Sequence, residues 1–284
     1  MTDYNIITGI INIINDQQKK LCSSNNTHNR LYALGEPLED YIKDVFSGAI
    51  GLSTQNKIQS HARAFSYGGA KNNPPDAVLK YGDAIEVKKV ESIGDIPLNS
   101  SYPKNRLYRD DPKLTSFCRN IDDGNWNVKD IIYAIGCVDK KSHILKSLVM
   151  VYGSIYCADK EYYEPIFNSI KESIKCAPLT LEETEELAHI NNVDPLGITY
   201  FRARGMWGIS HPFKVFEYLH KYGRQNNFEL MVIIPSDKFE SFNNINELLE
   251  LSHRDENLVI KDEQVKNPNN TVEMINVKLI TYKQ

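Results

Sequence analysis

Residues 74–92 read PPDAVLKYGDAIEVKKVES, and the folding of that stretch decides the rest. Two short apolar runs flank a Lys80-Tyr81-Gly82-Asp83 turn, and the second run alternates apolar Ile85 and Val87 with charged Glu86 and Lys88. Period-two alternation is the mark of a half-buried strand. The reading is a hairpin whose turn at 80–83 folds the strand containing Asp76 back beside the strand containing Glu86. Glu86 and Lys88 then point to one face, where Asp76 joins them. Two carboxylates and one ammonium converge on a single spot.

Two acids held together repel each other unless a cation stands between them, and hard oxygen ligands with an open position suit magnesium. A metal there lowers the pKa of a bound water and offsets charge building on a phosphoryl group. A lysine close to that water can orient it or help deprotonate it. Asp76, Glu86 and Lys88 therefore point to hydrolysis of a phosphodiester. The plainer alternative is an exposed hairpin of common charged residues, because D-x9-E-x-K is a short pattern.

The surrounding chain is compatible with an enzyme of this kind. It has 284 residues, 41% of them apolar and 25% charged, which excludes wholesale disorder, collagen and coiled coil. The net charge of −4 excludes a protein that coats DNA by bulk charge. Charge is uneven, however. Residues 57–109 carry nine Lys and Arg against five acids, and residues 199–224 carry five against Glu217 alone. These segments read either as two walls of an anion-binding cleft or as two solvated faces. The five cysteines (22, 118, 137, 157, 176) are widely spaced, so neither a disulfide framework nor a zinc site is expected, and Cys137 and Cys157 read as buried thiols. No apolar run approaches a membrane span and no basic residue precedes the N-terminal isoleucines, so the expected location is the cytoplasm. There is no P-loop and no G-x-S-x-G elbow.

Periodicity predicts an amphipathic helix on Ile6, Ile7, Ile10, Ile11 and Ile14, and a polar loop at 23–30. A second helix is expected to open near Glu36-Pro37 and bury Leu38, Tyr41, Ile42, Val45, Phe46 and Ile50. Strands are expected at 131–138, 144–156, 197–201 and 228–235, and helices at 160–175, 181–190, 211–223 and 237–251. The fold class is α/β, a central mixed sheet flanked by helices in one compact domain of residues 1–284 with an added C-terminal part.

The long words FSYGGAKNNPPDAVLKYGDAIEVKKVES, LNSSYPKNRLYRDD and VDPLGITYFRARGMWGISHPFKVF resemble type II restriction endonucleases of the NgoPII-like group, within the PD-(D/E)xK nuclease superfamily. The resemblance spans roughly residues 30–235, and Asp76, Glu86 and Lys88 show no departure from the pattern. It implies a PD-(D/E)xK restriction-endonuclease-like core over about residues 36–160, with a DNA-recognition and C-terminal part over about 161–284. It also implies a magnesium-dependent cut of double-stranded DNA at a short palindrome, GGCC, leaving 5′-phosphates, with manganese as a substitute ion. By the same resemblance Asp76 and Glu86 are metal ligands, the Val87 carbonyl is a candidate third, Glu39 on the preceding helix is a candidate further acid, and Lys88 serves the water. A cognate DNA methyltransferase is the expected functional companion. A palindrome has a two-fold axis, so a homodimer with one site per strand is the simplest assembly.

DNA contacts are expected from Asn99, Ser100, Ser101, Lys104 and Arg106, in a loop that leaves the catalytic strand, and from Asn72 and Asn73 just before it. Lys89 reads as a surface or phosphate contact. Arg202 and Arg204 fall on one side of a strand and suit either guanine O6 and N7 or phosphate. His211 reads equally as a DNA contact or as a helix-start residue, and Trp207 as a packing residue. Two rival functions stay open at this point. One is a structure-specific nuclease on the same core, and the other a DNA-binding protein with a vestigial nuclease site.

Overall fold

A computed structural model describes residues 4–21, 37–177, 180–184, 186–223 and 226–284. Cys22, the polar loop at 23–30, the Glu36 helix start and Arg224 lie outside them.

The chain opens with α1 (Ile6–Asn15), α2 (Pro37–Ser47) and α3 (Thr54–Ala64), then β1 (Phe65–Tyr67), β2 (Ala77–Leu79), β3 (Ala84–Val90), β4 (Ile96–Asn99) and β5 (Arg106–Tyr108). It continues through α4 (Ser116–Arg119), β6 (Val128–Val138), β7 (Leu145–Tyr152), α5 (Gly153–Tyr156) and α6 (Glu164–Lys175). A short ribbon region follows: β8 (Ala188–Ile190), β9 (Phe201–Ala203), β10 (Trp207–Ile209) and α7 (Pro212–Val215). The chain closes with β11 (Glu229–Pro235), α8 (Ser236–Glu240), α9 (Ile245–Arg254), β12 (Leu258–Asn267) and β13 (Asn270–Lys283).

Nine strands form one mixed sheet in the order β1-β2-β3-β6-β7-β11-β13-β12, with β5 paired to β6. Parallel pairing joins β3 to β6 and β7 to β11, and the other pairs are antiparallel. The innermost strands β6, β7 and β11 are buried almost throughout, which is why their sequences are near-continuous apolar runs. The expected mixed α/β architecture is present. The sheet takes β11, β12 and β13 from the C-terminal part of the chain, β11 on the strand expected at 228–235. Their burial pattern puts residues 229–283 into the same core as the hairpin.

Helix α1 buries Ile6, Ile7, Ile10, Ile13 and Ile14, and Asn5 caps it by accepting from the N–H groups of Ile7 (2.9 Å) and Thr8 (3.2 Å). Helix α2 ends at Ser47, short of the expected Ile50, because Gly48 turns left-handed at φ +66°. Helix α3 was not anticipated. Its sequence TQNKIQSHARA has little apolar periodicity, and it docks through polar contacts: Lys57 and His61 both reach Asp44, the latter at 2.9 Å.

The structure corrects five other expectations. Residues 153–156 are helical rather than the end of a strand. The acidic stretch 181–190 forms no helix among its described residues. Ala188–Ile190 instead pairs with Phe201–Ala203, and tertiary pairing overrides a high helix propensity. The strand expected at 197–201 begins only at Phe201, because Asp194 draws the N–H groups of Leu196, Ile198 and Thr199 into a loop. The helices expected at 211–223 and 237–251 are a single turn at Pro212–Val215 and a broken pair, α8 and α9.

Candidate active-site cleft

The hairpin forms as the spacing requires. Tyr81 takes φ +54° in the turn, Ala77 pairs with Ile85, and Val78 with Ala84. Asp76 stands just before β2, where its N–H donates to the carbonyl of Ile85 (3.1 Å) and its Oδ2 accepts from the N–H of Val87 (2.7 Å). Gly69 lies against it at φ +91°, where a Cβ would come within 2.4 Å of the Asp76 carbonyl oxygen. On β3, Lys88 Nζ donates to Glu86 Oε1 at 2.7 Å, so Asp76, Glu86 and Lys88 do meet. Strand geometry turns the Val87 carbonyl toward the same edge as its N–H, the Asp76 side.

The three line a cleft of about 320 Å³ with Lys71, Asn72, Asn73, Asn99, Ser100, Ser101 and Lys104. All but Lys71 are residues expected from sequence. The loop at 98–104 is anchored from below by Tyr133, opposite Glu86 on the parallel strand β6. Tyr133 Oη accepts from the Lys104 N–H (2.7 Å) and donates to the Lys104 carbonyl (3.0 Å). Tyr133 was missed. Its one sequence signal is a hydroxyl inside the apolar run IIYAIGCV. Lys104 pairs with Asp111, and Asn73 Nδ2 donates to the Lys113 carbonyl (2.7 Å).

Negative charge is crowded into this corner of the cleft. Burial and the neighbouring Glu86 push the Asp76 carboxyl up to about 7, against the opposing pull of the Val87 N–H and Lys88. Burial works against the Lys88 charge, but Glu86, Asp76 and Glu39 outweigh it and hold the ammonium above its ordinary range. Glu86 Oε2 is buried and has no hydrogen-bond partner among the described residues. A divalent cation between the carboxylates would satisfy it. Glu39 stands near enough for both Asp76 and Lys88 to sense its charge. Among the described residues, however, no three His, Cys, Asp or Glu side chains stand at metal-ligating distance.

The other expected contacts lie elsewhere. Lys89 is exposed, and strand alternation turns it to the face away from Glu86 and Lys88. Arg106 on β5 pairs with Asp130 at 3.5 Å and lines a neighbouring cavity together with Ser101 and Lys104. His211 is fully buried. Its Nδ1 accepts from the Phe213 N–H (3.1 Å) and caps α7, so the helix-start role holds and no surface is left for touching DNA. Arg202 and Arg204 are half-exposed and both pair with Glu186. The ribbon that carries them is joined to the cleft: β10 pairs antiparallel with β4, Trp207 opposite Asn99. Trp207 packs edge-on against Tyr102 and Tyr163, as a packing residue should. The two basic segments of the sequence thus meet through this small sheet. The cysteines at 118, 137 and 157 are buried free thiols, that at 176 is exposed, and no described helix is long and apolar enough to cross a membrane.

No solved structure gives a significant match to the chain. The NgoPII restriction endonuclease family model matches residues 4–266. The chain is 48% identical over 280 residues to the type II restriction enzyme NgoPII of Neisseria gonorrhoeae, an alignment covering 98% of this chain and 99% of that protein. That match runs through the whole hairpin, the cleft loop and the arginine ribbon, and the chain belongs to the NgoPII restriction endonuclease family.

Proposed function

We propose that the chain cuts double-stranded DNA at a short palindrome, GGCC, by magnesium-dependent hydrolysis that leaves 5′-phosphates, and that its sheet is a PD-(D/E)xK core. The observation that carries this reading is the hairpin: Asp76 held by the Val87 N–H beside a Glu86 oxygen that is buried and unpartnered. Asp76, Glu86 and the Val87 carbonyl are the ligands we assign to the ion, with manganese as a substitute, and Glu39 as a charge behind them. When bound, the ion supplies an acidified water and a counter-charge for the phosphoryl group. Lys88, kept protonated by its acidic neighbours, donates to the attacking water or to the phosphate oxygen and orients the in-line approach. Asn72, Asn73, Asn99, Ser100, Ser101 and Lys104 line the walls where the strand to be cut would lie.

We assign base recognition to residues 161–228, the segment between β7 and β11 that contains Arg202 and Arg204. A palindrome requires two such sites, so the working unit is a homodimer, acting in the cytoplasm beside a cognate methyltransferase. The test is incubation of the purified protein with a sequenced plasmid, in magnesium and in EDTA, followed by sequencing of the fragment ends. Discrete magnesium-dependent ends within GGCC are expected. Discrete ends elsewhere would discard that specificity, and ends scattered over many sequences would favour a structure-specific nuclease. Intact DNA from folded protein would favour a binding protein with a dead site.

A further inference from the structure

We propose that Glu186 is a specificity-determining positioning residue that holds Arg202 and Arg204 by their inner edges and presents their outer forks to guanine. The proposal rests on the reading of these arginines as DNA contacts and deepens it.

The geometry has three parts. Arg202 gives its Nε to Glu186 Oε2 (2.7 Å) and its Nη2 to Glu186 Oε1, while Arg204 gives only its Nε to Oε1 (2.7 Å). A guanidinium has five N–H donors in a rigid fork, so engagement at Nε leaves terminal donors for a second planar acceptor pair. Guanine offers such a pair in O6 and N7. Next, the carboxylate lies beneath the cations: the Glu186 side chain is 18% exposed, against 41% and 52% for Arg202 and Arg204. DNA arriving from solvent meets the guanidiniums first, and the acid acts on it only through them. Last, Arg204 is three residues from Trp207, which pairs with Asn99 in the cleft wall. Three extended residues span at most about 11 Å, so the forks are tied closely to the place where we put the scissile strand.

The chemistry follows from side-chain entropy. A free arginine has many rotamers and must give up that freedom on binding. One carboxylate shared by two arginines fixes both before DNA arrives, and it fixes their spacing, so the pair suits two adjacent guanines. Glu186 also lowers the bare positive charge of the ribbon, which weakens attraction to any phosphate backbone. Both effects raise the ratio of specific to non-specific binding.

The test is binding in calcium, without cleavage, to three duplexes: the protein's own site as mapped from its fragment ends, the same site with 7-deazaguanine, which lacks the N7 acceptor, and a scrambled sequence. The wild type, Glu186→Gln, Glu186→Asp, Arg202→Ala and Arg204→Ala are compared, each first confirmed folded by its melting curve. Glu186→Gln is expected to reduce the preference for guanine over 7-deazaguanine roughly tenfold. Its affinity for the scrambled duplex should hold or rise, and Glu186→Asp should restore part of the preference. Unchanged preference in Glu186→Gln, with Arg202→Ala or Arg204→Ala losing it, would overturn the role of Glu186 alone. Unchanged preference in all the variants would instead remove the arginines as base contacts. Tighter binding of Glu186→Gln to all three duplexes with preference intact would make the acid a simple brake on charge and would also overturn the proposal.

Discussion

The Val87 N–H donates to Asp76 Oδ2 at 2.7 Å, so the strand bearing Glu86 and Lys88 also fixes the acid on the far side of the hairpin. One hydrogen bond thus sets the separation of two carboxylates that would otherwise repel each other. The arrangement concentrates negative charge in a half-buried place, a cost of folding that the proposed cation would offset.

Asp76→Asn should therefore abolish cleavage and at the same time stabilise the metal-free protein. The asparagine Oδ1 can still accept from Val87, while the repulsion with Glu86 is gone. The Asp76 carboxyl, raised by burial and by Glu86 to about 7, holds its proton in the folded state at pH values where the unfolded chain has lost it. Its contribution is fully present at low pH and is lost as pH rises from about 4 to about 7. In EDTA, the melting advantage of Asp76→Asn over wild type should grow from about pH 4 to about pH 7 and level off above that. A variant that melts lower than wild type at pH 8 would contradict this reading.

Gly69→Ala should damage the site without touching a functional group. Its Cβ would sit 2.4 Å from the Asp76 carbonyl oxygen, and φ +91° is closed to an L side chain. Backbone on both sides has no easy retreat, so a loss of about 1–3 kcal/mol is expected. Turnover at saturating DNA should fall with it, because Asp76 moves. Melting and single-turnover cleavage check both effects.

Tyr133→Phe removes one hydroxyl that both donates to and accepts from the main chain of Lys104. Each partner left unpaired in a half-buried place costs about 1–3 kcal/mol. The predicted consequence is a loosened 98–104 loop: weaker DNA binding measured in calcium, with the carboxylate pair and its metal affinity intact.

The hairpin and the central strands were legible because each obeys a local rule: a turn between alternating runs, or an unbroken apolar strand. The cleft loop was legible because it follows the strand of Glu86 and Lys88 directly and so has to lie beside them. The ribbon at 186–203 was not. Its acidic run satisfies helix propensity, and only the long-range pairing of His189 with Arg202 makes it a strand. The C-terminal hairpin was overlooked although Asn-Pro-Asn-Asn (267–270) between two long alternating segments is a turn signal. The link from Trp207 to Asn99, which brings the two basic segments together, has no local signature at all.

His211 supplies a second pH test, with the opposite sign to Asp76. Burial, helped by nearby Lys214, lowers its imidazole to about 4 from an ordinary value near 6.5. The folded protein keeps it neutral where the unfolded chain binds a proton, so its contribution is present above about 6.5 and is lost as pH falls toward 4. The two effects oppose each other over the same window in the metal-free wild type, which should therefore show a shallow stability profile between pH 5 and 7. His211→Asn keeps an acceptor for the Phe213 N–H but removes the titration. Its melting temperature, relative to wild type, should rise as pH is lowered from 7 to 5, and in the double variant with Asp76→Asn the two changes in slope should largely cancel. A difference between His211→Asn and wild type that does not change with pH would show that the imidazole is not held neutral.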